Sequence, residues 1–438
     1  MARNKAIRFA LRWAALTLLG WLAYVLLRAL WTMIDLGAQP YDWLWYLVLI
    51  GAGIGLPACL LWRRPCGASI RRMSIVAYVA FLIAAIVGYY GFGQVTHLDL
   101  GNAAPVRISF WTGMDFRHAP ETLLKDLSDA GGRVYYGAGG YYPLEGDRRE
   151  ALAASIRRLA EFGVEVYLAT PSGDNFLSVP VHQEWIASTQ AAAAFVRREG
   201  LLNVRGFIGD AEPPLGLAPD ILGAERAEFD RAVTAYRDAM ATIRRDAPGL
   251  EIGVTAVWAH YVDRLDGDAD LAVLMRSPVD PPGEWDFVNL MTYSSYFAPE
   301  QRAYSVYLLE RAMARLYPAE RVSHLIGLVG GGMPGEPLLD FDGLVRDARL
   351  SRALGVREAG VFQLDDALAA FGPDFVRRLS EAVNDPPNGT RVAVPFSRPI
   401  SLAFFGIAAA DAMLDILGSR AGLLIAWSIV SGWLARRG

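Results

Sequence analysis

Hydrophobic and polar positions follow two rhythms along the chain. Up to about residue 92, and again after about residue 397, apolar residues run in long blocks; between these regions short β-rich runs alternate with segments of helical periodicity. Three blocks open the sequence, about Trp13 to Ile34, Trp43 to Trp62 and Met73 to Phe92. Each approaches the roughly 20 residues that cross about 30 Å of hydrocarbon. They predict an N-terminal membrane domain, residues 1–96, with three transmembrane helices. The first block is too long, and followed by too many further spans, to be a cleaved signal peptide. Residues 397–438 are apolar again and predict a C-terminal membrane-associated segment of one or two helices. Asp411 and Asp415 share a face of the first of these, which predicts an interfacial helix with its polar side in water.

The middle region, residues 105–390, reads as eight strand-helix units. The strands are expected at VRISFWTG, RVYYGAGGYY, VEVYLAT, VRGFIGDAE, EIGVTAVW, FVNLMTYSSY, HLIGLVGGG and AGVFQLDDAL, each followed by a helical segment. That count and length predict an α/β fold, a (β/α)8 TIM barrel flanked by transmembrane helices. A doubly wound open sheet has no need of eight regular units, and no GxGxxG or GxxxxGK follows a strand. GAGGYY lacks that spacing and reads as a strand-end turn.

Charge adds orientation. Arg3, Lys5, Arg8 and Arg12 precede the first block, and Arg63, Arg64, Arg71 and Arg72 separate the second from the third, whereas the first connection, DLGAQPYD, carries only acids. By the positive-inside rule the barrel lies outside the cytoplasm, in a multi-pass protein of the bacterial inner membrane. A composition of 53% hydrophobic residues with mean hydropathy +0.24 fits a membrane portion, and a net charge of -4 argues against nucleic-acid binding. Cys59 and Cys66 are the only cysteines, so no disulfide staples the barrel. The five histidines have no ligand spacing, and neither a metal nor a cofactor is expected.

In such barrels the reactive groups collect at the C-terminal ends of the strands. Read in order, those ends offer Asp115, Tyr141, Asp210 with Glu212, Trp258, Tyr293 with Tyr296, and Gln363 with Asp365 and Asp366. Acids and aromatic rings around one mouth suit a carbohydrate, because ring faces stack on sugars and carboxylates grip hydroxyls. Side chains two apart lie on one side of a strand, so Ile208, Asp210 and Glu212 share a face that points inward at the barrel top. Two carboxylates this close cannot both ionise freely, which raises one pKa and suits Glu212 to donate a proton to a leaving-group oxygen.

GFIGDAE at the fourth strand and NLMTYSSY at the sixth resemble the acidic motif and the Met-Thr-Tyr motif of glycoside hydrolase family 18, the chitinase-like (β/α)8 enzymes. The resemblance implies Glu212 as acid/base, Asp210 as the group that orients the substrate's 2-acetamido oxygen for attack on the anomeric carbon, and Tyr293 as a donor to that acetamido group. No enzyme nucleophile is needed in such a reaction. Asp115, Tyr141, Trp258, Tyr296, Gln363 and Asp365 are then expected to bind substrate, an extracytoplasmic polysaccharide carrying N-acetylhexosamine. Other proteins that handle envelope polysaccharide would be partners. The chain departs from the family at Arg205 and Ile208, where the motif has aspartates, at Ser294, where it has an acid, and around Gln363-Leu364, where it has a tryptophan.

Three other readings stay open. A barrel without catalysis would bind glycan or a partner within a membrane complex. The Glu-Pro at Glu212-Pro213 also resembles the retaining glycosidases with Asn-Glu-Pro at the fourth strand, whose nucleophile is a glutamate ending the seventh strand; here Glu336 comes several residues late, so that mechanism would have to recruit Asp115, Asp365 or Asp366. A metal-dependent hydrolase would use Asp115, Asp210, Glu212 and Asp365 as oxygen ligands.

Overall fold

The computed structural model describes residues 2–35, 95–101, 103–137, 146–170, 182–211, 224–257, 269–276, 285–330, 336–387, 389–417 and 425–431, with a few isolated positions between 46 and 83. The chain divides into two compact units, Thr96–Ser397 and Met1–Val95 with Arg398–Gly438.

Thr96–Ser397 contains the barrel. Strands β2 (Arg107–Thr112), β3 (Arg133–Gly137), β4 (Glu165–Thr170), β5 (Val204–Ala211), β6 (Glu251–Val257), β7 (Phe287–Met291), β8 (Val322–Gly327) and β9 (Glu358–Phe362) pair in sequence order and close into a cylinder. Every pairing is parallel, and β9 returns to β2 with Arg107 opposite Glu358. The predicted eight units are therefore present. The strands end earlier than the apolar runs suggest: FVNLM is strand, while Ser294–Tyr296 form a 3-10 turn, and Leu364–Phe371 is already helix. A pair of strands that the rhythm did not signal, β1 (Val95–Asp99) and β10 (Arg391–Pro395), forms its own small sheet.

The helices are α2 (Glu121–Asp129), α3 (Gly146–Glu161), α4 (His182–Glu199), α5 (Ala224–Asp246), α6 (Asp270–Leu274), α7 (Pro299–Leu316), α8 (Phe341–Ala353), α9 (Leu364–Phe371) and α10 (Phe375–Asn384), with α1 (Ala2–Asp35) and α11 (Arg398–Leu417) in the other unit. α10 shows why they form: Phe375, Val376, Leu379 and Val383 are its buried residues and make one stripe, with Arg377, Arg378 and Glu381 outside it. Strands buried on both faces read as near-continuous apolar runs, as in FVNLM with Asn289 its one polar residue, because outward side chains meet helices and inward ones meet each other. The two sets are separate. Ile108, Phe110, Val134, Val166, Leu168 and Val254 pack under the helices. Trp111, Tyr135, Tyr167, Ile208, Phe287, Met291 and Leu325 fill the lumen.

Lumen packing leaves little slack. A Cβ on Gly253 would lie 2.1 Å from the Phe287 ring. Gly253→Ala is expected to destabilise the barrel by about 1–3 kcal/mol, the usual cost of overpacking. Denaturant titration of the variant checks it, and an unchanged midpoint would show that the ring yields freely.

At the N-terminal mouth, charge closes the cylinder. Arg133 donates to Glu358 at 2.7 Å and to Glu165 at 3.1 Å, and its guanidinium lies 4.6 Å from the Tyr167 ring centroid. Arg205 reaches Glu165 at 3.1 Å, and Tyr135 donates its hydroxyl to Glu358 at 2.5 Å.

In the other unit α1 packs along α11. Phe9–Ile34 within α1 is long and apolar enough to cross a membrane, with mean hydropathy 1.6, and is the one such helix among the described residues. The second and third predicted spans fall largely outside the described residues. Helices on both sides of the barrel as membrane spans are thus not established. Asp411 and Asp415 depart from expectation: both are buried, and Asp415 lies 4.0 Å from Arg28 of α1. A carboxylate between apolar helices is costly unless a cation accompanies it, and Asp415 accordingly turns toward Arg28 and not toward water.

Candidate active site

Asp210 stands at the C-terminal end of β5, half-buried, with Oδ1 withdrawn from solvent. Ile208, two residues before it, belongs to the lumen cluster, so the alternation puts Asp210 on the inward face as expected. Glu212, Tyr141 and Trp258 lie outside the described residues.

Tyr293 follows β7, packs against the lumen cluster and has its ring centroid 6.3 Å from those of both Tyr296 and Phe362. Tyr296 is exposed, and its hydroxyl donates to Glu336 Oε1 at 2.5 Å. The structure therefore brings Glu336 to the tyrosines of this mouth, although in the sequence it lies several residues beyond the end of the seventh strand.

The turn carrying the tyrosines is pinned from below. Ser294 is fully buried; its hydroxyl donates to Asp347 Oδ2 at 2.5 Å and accepts from Arg346 at 3.0 Å, both residues of α8. Ser295 Oγ accepts the backbone N–H of Leu328 at 3.1 Å, tying the same turn to the end of β8. At the position where the resemblance expects an acid, the chain has a hydroxyl turned into the protein.

Burial pushes the Asp347 carboxyl up to about 6, against the pull of Arg346 and Ser294. The unfolded chain releases this proton at a lower pH than the folded one, so the folded state binds more protons between about pH 4 and 6. Stability must then fall as pH rises through that window. Asp347→Asn is expected to remove this fall, and comparing the two proteins' denaturation midpoints from pH 4 to 7 tests it. Parallel curves would mean that Asp347 does not titrate there.

The remaining expected contacts are occupied by protein groups. Asp365, in the first turn of α9, accepts from Thr112 Oγ1 at 2.9 Å and from Gly113 N at 3.1 Å, joining the ends of β9 and β2. Asp115 accepts from the backbone and guanidinium of Arg117 and from Ser155, and caps the 3-10 turn Phe116–His118. The Arg117 hydrogen bonds, outweighing burial, hold its carboxyl well below the usual carboxylate range. Gln363 donates to Asp366 at 2.8 Å. Asp366 in turn presses on Gly330, where a Cβ would lie 2.4 Å from the aspartate's own. These acids thus knit strand ends together. The metal-dependent reading needs Asp115 and Asp365 as ligands, and their oxygens are already engaged; among the described residues no group of three or more His, Cys, Asp or Glu gathers to hold an ion.

By fold the domain is a (β/α)8 barrel with an acid and two tyrosines at the mouth where such barrels carry their active sites. The chain is similar to the PgaB (BpsB) glycoside hydrolase domain from Bordetella bronchiseptica, with 16% identity and a TM-score of 0.45 over 64% of this chain and 99% of that one. It is also similar to a GH18 chitinase from Pseudoalteromonas aurantia, with 12% identity and a TM-score of 0.43 over 63% and 99%, and to a β-glucosidase from Thermotoga maritima, with 13% and 0.38 over 60% and 88%. No family model matches the sequence, and no curated protein does.

Proposed function

We propose that the barrel is a glycoside hydrolase acting on an extracytoplasmic polysaccharide that contains N-acetylhexosamine, held at the membrane by α1. Glu212 donates a proton to the leaving-group oxygen, and Asp210, two residues before it, orients and stabilises the acetamido group as it attacks the anomeric carbon. The single observation that carries this reading is the inward placement of Asp210 at the end of β5, level with a mouth that holds Tyr293 and Tyr296. In this reading Tyr293 donates to the acetamido oxygen, and Tyr296, Tyr141 and Trp258 offer ring faces to the sugar. Gln363 and Asp365 hold the rim at β9, and Asp115 with Arg117 forms a charged edge that meets hydroxyls. Incubating the full-length protein with β-linked N-acetylglucosamine oligomers and resolving the products by mass tests the reading; intact oligomers after long incubation, with wild-type protein that still binds them, would favour the non-catalytic barrel.

One observation favours a second mechanism. Glu336 is hydrogen-bonded to Tyr296, which supplies the second carboxylate that a retaining two-carboxylate glycosidase requires. A fluorinated glycosyl fluoride, which traps such a nucleophile, separates the two: covalent label on Glu336 selects this mechanism, and inhibition by a thiazoline without any label selects the substrate-assisted one.

A further inference from the structure

The register of the sheet lays out a line of polar side chains through the lumen. Asp210 of β5 pairs with Thr255 of β6, Thr255 with Asn289 of β7, Asn289 with Ser323 of β8, and Ser323 with Glu358 of β9. All five point inward. Ile208 fixes the parity of β5, Phe287 and Met291 bracket Asn289, and Leu325 fixes that of β8. Gly253, whose Cβ would strike Phe287, fixes that of β6, and Gly360, which faces Leu325 and Ser109, fixes that of β9. Because the strands are staggered around the cylinder, the line descends from the active-site mouth at Asp210 to the ion-paired mouth at Glu358.

Its middle members are buried. Thr255 is 2%, Asn289 0% and Ser323 3% exposed. Thr255 Oγ1 and both polar atoms of the Asn289 amide have no protein hydrogen-bond partner, while Ser323 faces the Tyr135 hydroxyl. A buried amide or hydroxyl without a partner keeps its full desolvation cost with nothing to offset it. Three such atoms on adjacent strands are tolerated when ordered water meets them, since a buried water typically makes about three hydrogen bonds to groups of this kind. The place in the motif where the resemblance expects another inward acid is Ile208 here, so the polar neighbours of Asp210 come sideways from β6 and β7.

We propose that Thr255, Asn289 and Ser323 hold a file of buried water molecules in the barrel lumen, and that this file hydrogen-bonds to Asp210 and so sets its orientation and proton affinity. Thr255 and Asn289 are positioning residues in this arrangement, acting through Asp210, and their part in catalysis rests on the proposed role of Asp210. The strands flanking β5 carry few groups that could do this instead. Their titratable residues are Glu165 and Tyr167 on β4 and Glu251 on β6, and Tyr167 and Glu251 bond to each other toward the opposite mouth. At Asp210's own end, Tyr293 is the titratable residue among the described ones that packs against the lumen cluster, with Tyr296, Glu336, Asp365 and Asp366 bonded to other protein groups around the mouth.

The test uses the full-length protein in detergent, labelled with 13C at aspartate carboxyls, Asp210→Asn supplying the assignment of the Asp210 signal. Hydrogen bonds from the file favour the charged carboxylate, so Thr255→Val and Asn289→Leu are expected to raise the Asp210 pKa by about one unit, whereas Thr255→Ser, which keeps the hydroxyl, leaves it in place. A high-resolution structure of the wild type is expected to show ordered water within 3.2 Å of Asn289 Oδ1 or Nδ2 and of Thr255 Oγ1, at about the upper limit of a good hydrogen bond. A dry lumen overturns the proposal. So does an Asp210 pKa that is the same in wild type, Thr255→Val and Asn289→Leu. Neither readout uses glycan cleavage, so loss of the catalytic reading, shown by Asp210→Asn cleaving N-acetylglucosamine oligomers at the wild-type rate, is distinguishable from loss of the water file.

Discussion

Glu212→Gln is expected to lower glycan cleavage by roughly 100- to 10,000-fold, the usual worth of a positioned general acid. The amide keeps the size of the acid and much of its hydrogen bonding, so binding changes little and the loss falls on kcat. It has no proton to give the departing alkoxide. An aryl glycoside, whose phenolate leaves without a proton, should therefore lose much less than an oligosaccharide does. Asp210→Asn should cost a similar factor with both leaving groups, because the group it orients reacts in either case. Equal losses on aryl and sugar leaving groups for Glu212→Gln would remove that residue from the acid's role. An unchanged rate on both would remove it from the mechanism altogether.

Arg133→Met should cost about 3–5 kcal/mol of stability, the range for breaking a buried ion pair by removing one partner. Arg133 binds Glu358 at 2.7 Å and Glu165 at 3.1 Å, and Glu358 has only 8% of its side chain exposed. Methionine fills the same space but leaves the Glu358 carboxylate without its nearest cation. Arg107, 3.9 Å from that carboxylate, offsets part of the loss and puts the expected value toward the lower end. Against a total of about 5–15 kcal/mol this is a large fraction, and thermal unfolding should shift down by roughly 5–10 °C. Pairing the change with Glu358→Gln should restore much of it, since the stranded charge is then gone. If the double variant is no more stable than Arg133→Met, the loss comes from packing against Tyr167 and not from charge.

The barrel was legible because each strand-helix unit announces itself locally, by a β-rich run and then a stripe at helical spacing, as in EIGVTAV or FVRRLSEAVN. The inward face of β5 was legible for the same reason, since alternation with period two carries from Ile208 to Asp210 without help from the rest of the chain. The strand ends were less so. FVNLMTYSSY reads as one run, yet after Met291 the backbone tightens into a turn because Ser294 and Ser295 find hydrogen bonds to Asp347 and Leu328. Asp365 and Asp115 looked like free acids at a mouth. Thr112, the partner of Asp365, could be named only after the ends of β2 and β9 were side by side, whereas Asp115 meets Arg117 two residues on, in a local turn whose form the pattern did not signal.

Local pattern is enough to specify the eight units, which side chains of each strand share a face, the apolar N-terminal blocks of membrane-spanning length, and the acids and tyrosines available at the strand ends. These follow from local periodicity, which depends on neighbours a few residues away. How those groups are used emerges once the chain is folded: Glu336 meets Tyr296, Ser294 is turned inward to α8, Asp415 faces Arg28, and Asp210 heads a polar line reaching Glu358. Each of these joins residues 40 or more positions apart. Such contacts arise from closure of the cylinder and the stagger of its strands, geometric facts about the whole ring that no single segment records.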